Sequence, residues 1–254
     1  MKSRILKELN EIEINNDVKV IYACESGSRA WGFASADSDY DVRFIYVHSK
    51  DWYLTIADKR DVIEIPLDGD LDINGWDIRK SLKLLRKSNP PLLEWLSSPM
   101  KYRNVRPVMD TIVELSADAF LPESSCHHYL SMAKNIIDSF ENGEEVRIKS
   151  YLYSLRTILC CKWIIGRLIQ PPMKIQDLLN EYLPSGELRE FADKLIDLKI
   201  KGVESANINR SLFFEEYLES QLNFVETKIP KNPQKIPIEK FDSIFQIILS
   251  DSQT

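Results

Sequence analysis

The sequence is poor in the residues that build soft-metal and redox centres. It has three histidines (His48, His127, His128) and four cysteines, at positions 24, 126, 160 and 161. No two cysteines show the C-x-x-C spacing of a zinc site, and three histidines are too few for a histidine-rich centre. Any metal held by this chain is therefore expected to be bound through oxygen. Cys160 and Cys161 adjoin each other in an apolar helical run. They read as thiols packed in a core, which fits a reducing compartment. Long apolar runs are missing as well, since none approaches the ~20 residues of a membrane span. The opening stretch, MKSRILKELNEIEI, has basic residues but no apolar core and no small-residue cleavage site. It reads as a helix rather than a signal peptide, so the cytoplasm is the expected location and no membrane partner is expected. An excess of positive charge is also lacking, because the net charge is -6. A protein that grips long nucleic acid usually shows a basic surface, which here would have to be a local patch. The charge suits small anionic ligands or protein partners better and leaves RNA open. There is no internal repeat and no low-complexity tract.

What remains is material for a globular protein. The 254 residues are 44% apolar and 28% charged, enough for one large domain or two smaller ones. Ile5, Leu6, Leu9 and Ile12 have helical spacing. Residues 18–23 (VKVIYA) and 42–47 (VRFIYV) are β-branched and aromatic runs that read as strands, and a third run lies at 53–56. Residues 62–66 and 71–75 flank Leu67-Asp68-Gly69-Asp70 and predict a hairpin. From Trp76 the period becomes helical, with Ile78, Leu82 and Leu85 on one face, Asp77 as cap, and Asn89-Pro90-Pro91 as the end. Residues 123–226 read as helices throughout. Residues 228–237 hold three prolines and form a linker, followed by a short amphipathic helix through Phe241, Ile244, Phe245 and Ile248. The expected class is α+β, with strands first and helices after. The expected boundaries are an α/β domain at 1–115, a helical bundle at 116–226, and a linker with a last helix at 227–254.

The densest chemistry lies in residues 24–43, CESGSRAWGFASADSDYDVR. A strand runs into Gly27-Ser28. Gly27 lets the backbone turn sharply and approach a ligand, and a helix opening near Ser28 would offer amides to an anion. After ten intervening residues come Asp39 and Asp41, two apart on the next strand and so on one face. Like charges placed so repel unless a cation lies between them, and two magnesium ions bridged by carboxylates match that pattern. Taken singly, Gly-Ser is a common turn and Asp-x-Asp a common solvated loop. The joint pattern is far more specific.

That pattern resembles the nucleotidyltransferase superfamily of DNA polymerase β. Three segments, GSRAWGFASADSDYDVR, GWDIRKSLKLLRKSNPPLLEWLSSP and VRIKSYLYSLRTILCCKWI, are similar to its RNA-repair-pathway polymerase-β-like branch, over roughly residues 18–225. The resemblance implies a polymerase-β-like mixed sheet flanked by helices, followed by an all-helical bundle. It also implies transfer from a nucleoside triphosphate that depends on Mg2+ or Mn2+, with two ions. It further implies a third carboxylate on a later strand. Asp72 matches best, with Glu64 and Asp70 as competitors. Asp39, Asp41 and Asp72 would then be the catalytic metal ligands, with Asp72 also acting as or positioning the base. Gly27 and Ser28 would hold phosphates, and Arg29 would neutralise the α-phosphate or the pyrophosphate or else form a surface salt bridge. The acceptor stays open among an RNA end, a protein side chain and a small molecule. A non-catalytic regulator or antitoxin-like binding protein is the alternative.

Weaker signals surround this motif. Trp31 and Phe33 either stack on a base or pack in the core. Arg79, Lys83 and Arg86 form a basic stripe that either holds phosphates or faces solvent. Lys149, Tyr153 and Arg156 share a face of an otherwise apolar helix. They either meet phosphates and a base or make structural ion pairs. His127 and His128 carry no assigned role, and the oligomeric state is not legible.

Overall fold

A computed structural model describes residues 1–66, 69–141, 144–202 and 206–251. The chain forms two compact units. The first comprises Met1–Ala30, Asp39–Phe120 and Gln234–Thr254, and the second comprises Trp31–Ser38 and Leu121–Pro233. Residues 31–38, which lead up to Asp39, thus belong to the second unit, and the C-terminal helix to the first.

In chain order the first unit contains α1 (Lys2–Asn16), β1 (Val18–Glu25), α2 (Gly27–Trp31), β2 (Tyr40–His48), α3 (Lys50–Tyr53), β3 (Val62–Glu64), β4 (Leu71–Asp77), α4 (Ile78–Arg86), α5 (Pro90–Ser97), β5 (Lys101–Asn104) and α6 (Val108–Asp118). Its sheet has the order β3-β4-β2-β1-β5. The β2–β4 pair is parallel and the other pairs are antiparallel, so the sheet is mixed. Ile5, Leu9 and Ile12 fall on one stripe of α1 and bury themselves against Val42, Phe44, Tyr46, Leu71 and Ile73. That set fixes the sheet's faces. Side chains alternate along a strand, so Asp41, Arg43 and Asp72 project from the face opposite α1. A register slip of one residue would exchange the two sets.

The hairpin lies where its sequence predicts, with β3 antiparallel to β4. Gly69 is in the left-handed region at φ 64, while Leu67 and Asp68 lie outside the described residues. Asp77 caps α4 by accepting from the Arg79 amide at 2.8 Å. One expectation needs correction. Residues 53–56 do not form a strand. The Tyr53 hydroxyl instead donates to Asp77 Oδ2 at 2.6 Å and ends α3, while Leu54 and Ile56 point outward with no strand to pair with. Helix α4 ends just ahead of Asn89-Pro90-Pro91, as expected, and that run also begins the next helix. The Asn89 side chain accepts from the Leu92 amide at 3.1 Å, and Pro90 occupies the first turn of α5, where its missing amide costs nothing.

The second unit contains α7 (Pro122–Asp138), β6 (Glu145–Arg147), α8 (Ile148–Arg167), α9 (Ile175–Tyr182), α10 (Glu187–Lys201), β7 (Asn207–Asn209) and α11 (Leu212–Thr227). It is helical as expected, except that β6 and β7 pair as a short antiparallel ribbon. Three-residue strands without apolar alternation leave little trace in a sequence. Helix α8 packs against α7, α9, α10 and α11, and Cys126, Cys160 and Cys161 are buried thiols there. The last helix, α12 (Ile238–Asp251), returns to the first unit against α4 and α6. Among the described residues no helix is long and apolar enough to cross a membrane.

Candidate active site

The site starts at the C-terminal end of β1. Glu25 is fully buried, and its Oε1 accepts the Asp41 amide at 2.8 Å. The Ser26 amide donates to the Asp41 carbonyl at 2.8 Å. These bonds hold the start of β2 beside the turn. Gly27 has φ +58, and a Cβ built on it would lie 2.1 Å from Asp41 Oδ2. The Asp41 carboxylate therefore lies against the Gly27 backbone in space that only glycine leaves open. This steric relation answers why Gly-Ser and Asp-x-Asp belong to one motif. Ser28 is buried in the first turn of α2. Arg29 donates through Nε to the Asp39 carbonyl at 3.1 Å, and its guanidinium lies 3.7 Å from the centre of the Tyr40 ring.

Asp41 and Asp72 are register partners on the parallel pair β2 and β4. Arg43 lies two residues along β2 and so on the same face. Its Nη2 donates to Asp41 Oδ1 at 2.9 Å and to Asp72 Oδ2 at 2.7 Å. Its Nη1 donates to the carbonyls of Val42 and Asp72, each at 3.2 Å. The other acidic candidates are engaged elsewhere. Asp70 faces Arg4 at 3.5 Å, and Glu64, on the outer strand, pairs with Arg60. Asp39 is exposed, just ahead of β2.

The donor set fits an oxygen-loving divalent ion. Two carboxylate oxygens already converge on a single cationic nitrogen, which stands in for the charge an ion would supply. Among the described residues no three histidine, cysteine, aspartate or glutamate side chains gather closely enough to hold a metal. The convergence therefore involves Asp41 and Asp72, with Asp39 beside the pair in sequence.

Two contributors escaped the sequence reading. Burial pushes the Glu25 carboxyl above its usual range, against hydrogen bonds from Tyr102 and from the Asp41 amide that favour its charged form. A carboxylate closing an apolar strand just before Ser-Gly was the available signal. For Arg43 the signal was a cation two residues beyond Asp41 on one strand.

The helical-face residues form a cluster in the second unit. Lys149 Nζ lies 5.4 Å from the centre of the Tyr153 ring. Tyr153 meets Trp31 edge-on at 5.0 Å, and Arg156 lies 4.3 Å over Trp31. Arg156 is buried and also donates to the Met173 carbonyl at 3.4 Å. Phe33 is buried and packs 6.1 Å from Tyr153. Lys199 is buried too, donating to Ser35 Oγ at 2.9 Å and Ser38 Oγ at 3.4 Å. The expected basic stripe on α4 is broken up. Arg79 turns onto Trp52 and Tyr53, while Lys83 stays exposed. His127 and His128 lie on α7.

A mixed sheet with a glycine turn over paired carboxylates, joined to a helical unit, is the architecture expected of polymerase-β-like nucleotidyltransferases. The chain belongs to the RNA repair pathway DNA polymerase beta family, whose model matches residues 1–246. It is 46% identical over 231 residues to the uncharacterized protein YcgL of Bacillus subtilis (strain 168), covering 91% of this chain and 86% of that one. A nucleotidyltransferase-like protein from Exiguobacterium sibiricum shares 10% identity, covering 90% of this chain and 74% of that one. The TM-score between the two is 0.32.

Proposed function

We propose that this protein is a metal-dependent nucleotidyltransferase that moves a nucleoside monophosphate from a nucleoside triphosphate to an acceptor hydroxyl. The acceptor class we favour is an RNA end, because RNA repair is what the family's description names. The observation that carries the reading is the side-by-side placement of Asp41 and Asp72, with Asp41 lying against Gly27. A pure binding module has no need to hold two carboxylates against each other.

Asp39, Asp41 and Asp72 are the proposed ligands of Mg2+ or Mn2+, two ions in all. Such ions neutralise phosphate charge and lower the pKa of an acceptor hydroxyl. The residues of the chain do the rest. Asp72 takes or orients the acceptor proton. The acceptor oxygen bonds to the α-phosphorus, the bond from that phosphorus to the bridging oxygen breaks, and pyrophosphate leaves. Gly27 keeps the backbone clear of the Asp41 carboxylate, and the turn at Gly27-Ser28 receives phosphate oxygens. Arg29, placed beside Asp39, offsets phosphate charge. Lys149, Tyr153 and Arg156 are the nucleotide contacts proposed for the helical unit. Their row of cations and aromatic rings suits an anionic ligand bearing a base.

The test is incubation with triphosphates labelled at the α-phosphate and Mg2+, with and without RNA. Label should pass to RNA, and both Asp41→Asn and Asp72→Asn should stop it. Nucleotide binding with no transfer to RNA, protein or small hydroxyl compounds would instead support a non-catalytic regulator. Arg43 favours that second reading insofar as it already neutralises the pair.

A further inference from the structure

The proposed chemistry needs a divalent cation at Asp41 and Asp72, and a cationic side chain already stands there. Resting on the nucleotidyltransferase reading, we infer that Arg43 is a resident counter-ion that excludes a divalent ion from the Asp41–Asp72 pair until a triphosphate draws the guanidinium away.

Three observations lead there. First, Nη2 of Arg43 is shared between Asp41 Oδ1 at 2.9 Å and Asp72 Oδ2 at 2.7 Å. Magnesium sits about 2.0–2.1 Å from its oxygens, so an ion shared by the same two oxygens would need the volume that Nη2 occupies. Second, the pair needs a cation at all times. Asp41 and Asp72 are register neighbours, and two carboxylates side by side repel each other. The guanidinium supplies the balancing charge, and its Nη1 adds bonds to the carbonyls of Val42 and Asp72. Third, the Arg43 side chain is only 18% exposed. Once displaced by an ion, a group so placed must find another anion rather than bulk water. A phosphate chain offers bidentate oxygens that match the guanidinium fork.

Ion and nucleotide therefore load together. The ion takes the carboxylates, the guanidinium takes phosphate, and neither exchange is favourable alone. Arg43 would also make contact with the substrate, which puts it among the residues of the reaction rather than of the scaffold.

The experiment is a Mn2+ titration followed by the electron paramagnetic resonance signal of unbound Mn2+. It is run with and without a non-hydrolysable triphosphate, on the full chain and on Arg43→Met, Arg43→Lys, Asp41→Asn and Asp72→Asn. Without nucleotide, Arg43→Met should bind Mn2+ about ten-fold more tightly than the parent protein, the low end for a charged hydrogen bond between partly exposed groups. Nucleotide should tighten Mn2+ binding to the parent markedly and to Arg43→Met much less, with Arg43→Lys between them. Suppose the parent binds Mn2+ with nucleotide and Asp41→Asn abolishes this, yet Arg43→Met binds Mn2+ no more tightly. Then the counter-ion role is wrong and the enzyme reading stands. If the parent binds no Mn2+ even with nucleotide, both fall. If Arg43→Met unfolds, Arg43→Lys decides by the same comparison, because it keeps the charge but not the fork.

Discussion

Replacing Gly27 by alanine separates two effects that the structure stacks at one position. The first is backbone strain. At φ +58 an alanine costs about 1–2 kcal/mol more than glycine. The second is collision, since the new methyl would lie 2.1 Å from Asp41 Oδ2 and 2.9 Å from its carboxyl carbon. One of the two must move, and the carboxylate is the softer. Moving it stretches or breaks the bond from Arg43 to Asp41 Oδ1. A charged hydrogen bond is worth roughly 1.5–3 kcal/mol. With the Asp41 side chain 29% exposed and that of Arg43 18% exposed, about 1 kcal/mol is a fairer figure after screening. The sum is about 2–3 kcal/mol, or roughly 5–10 °C in melting temperature for a unit of this size. Gly32 supplies the control. It too has positive φ, at +90, but nothing lies within 4 Å of its Cβ position. Gly32→Ala should show strain alone. Both variants are to be measured by urea unfolding and by calorimetric titration with Mg2+ and a non-hydrolysable triphosphate. Gly27→Ala should lose about ten- to hundred-fold in affinity, 1.4–2.8 kcal/mol, and Gly32→Ala should lose little. Equal affinity losses in the two variants would refute the idea that Gly27 is there for the Asp41 carboxylate.

Asp72→Asn should abolish turnover in a labelled-transfer assay while leaving triphosphate binding in place. Full turnover in this variant, with loss in Asp70→Asn or Glu64→Gln, would move the third-carboxylate role to that residue. For Glu25 the sign follows from burial. Its folded-state pKa is raised above 4.5, so its contribution to stability is full below pH 4.5 and is lost as pH rises through the folded value. Glu25→Gln should therefore gain stability relative to the parent between pH 5 and pH 7.5, read by urea unfolding, and a gap that shrinks over that range would contradict the burial argument. Tyr153→Ala should weaken nucleotide binding about 5- to 150-fold if it stacks on a base, worth ~1–3 kcal/mol, and Arg156→Ala should weaken triphosphate more than nucleoside. If these residues only support Trp31, melting temperatures fall instead and any affinity loss is the same for both ligands.

Strands β1 and β2 were legible as β-branched and aromatic runs, β3 and β4 as the arms of a glycine turn, and Gly27, Asp39 and Asp41 as a pattern with a physical cause, whereas β5 (KYRN) has no apolar run to mark it. Parallel pairing of β2 with β4 was not legible. It depends on the short β3 edge and on α1 covering one face, neither of which periodicity reports. Asp72 could be proposed from resemblance but its register with Asp41 could not be read from the sequence. Arg43 was overlooked because a charged residue inside a strand reads as solvated. Only when Asp72 arrives from another strand does its guanidinium have two carboxylates to bridge. The helical row of Lys149, Tyr153 and Arg156 was visible as a shared face, but its contact with Trp31 was not, since the two lie more than a hundred positions apart.

The ten residues between Ser28 and Asp39 now have a structural reason. A strand-to-strand turn needs far fewer. Here the chain leaves α2 at Trp31 and spends residues 31–38 inside the helical unit before β2 begins. Trp31 is flanked by Tyr153 and Arg156, Phe33 is fully buried, and Ser35 and Ser38 accept from the buried ammonium of Lys199. A buried ammonium without hydrogen-bond acceptors is costly, so Lys199 and the two serines depend on one another. That dependence fixes Ser38, the residue directly ahead of Asp39. Asp39 lies outside the strand and is exposed, so it has little of its own to hold it. Its carbonyl accepts from Arg29 Nε at 3.1 Å. The spacing of the motif thus reflects residues 31–38, which belong to the helical unit and pack with its side chains.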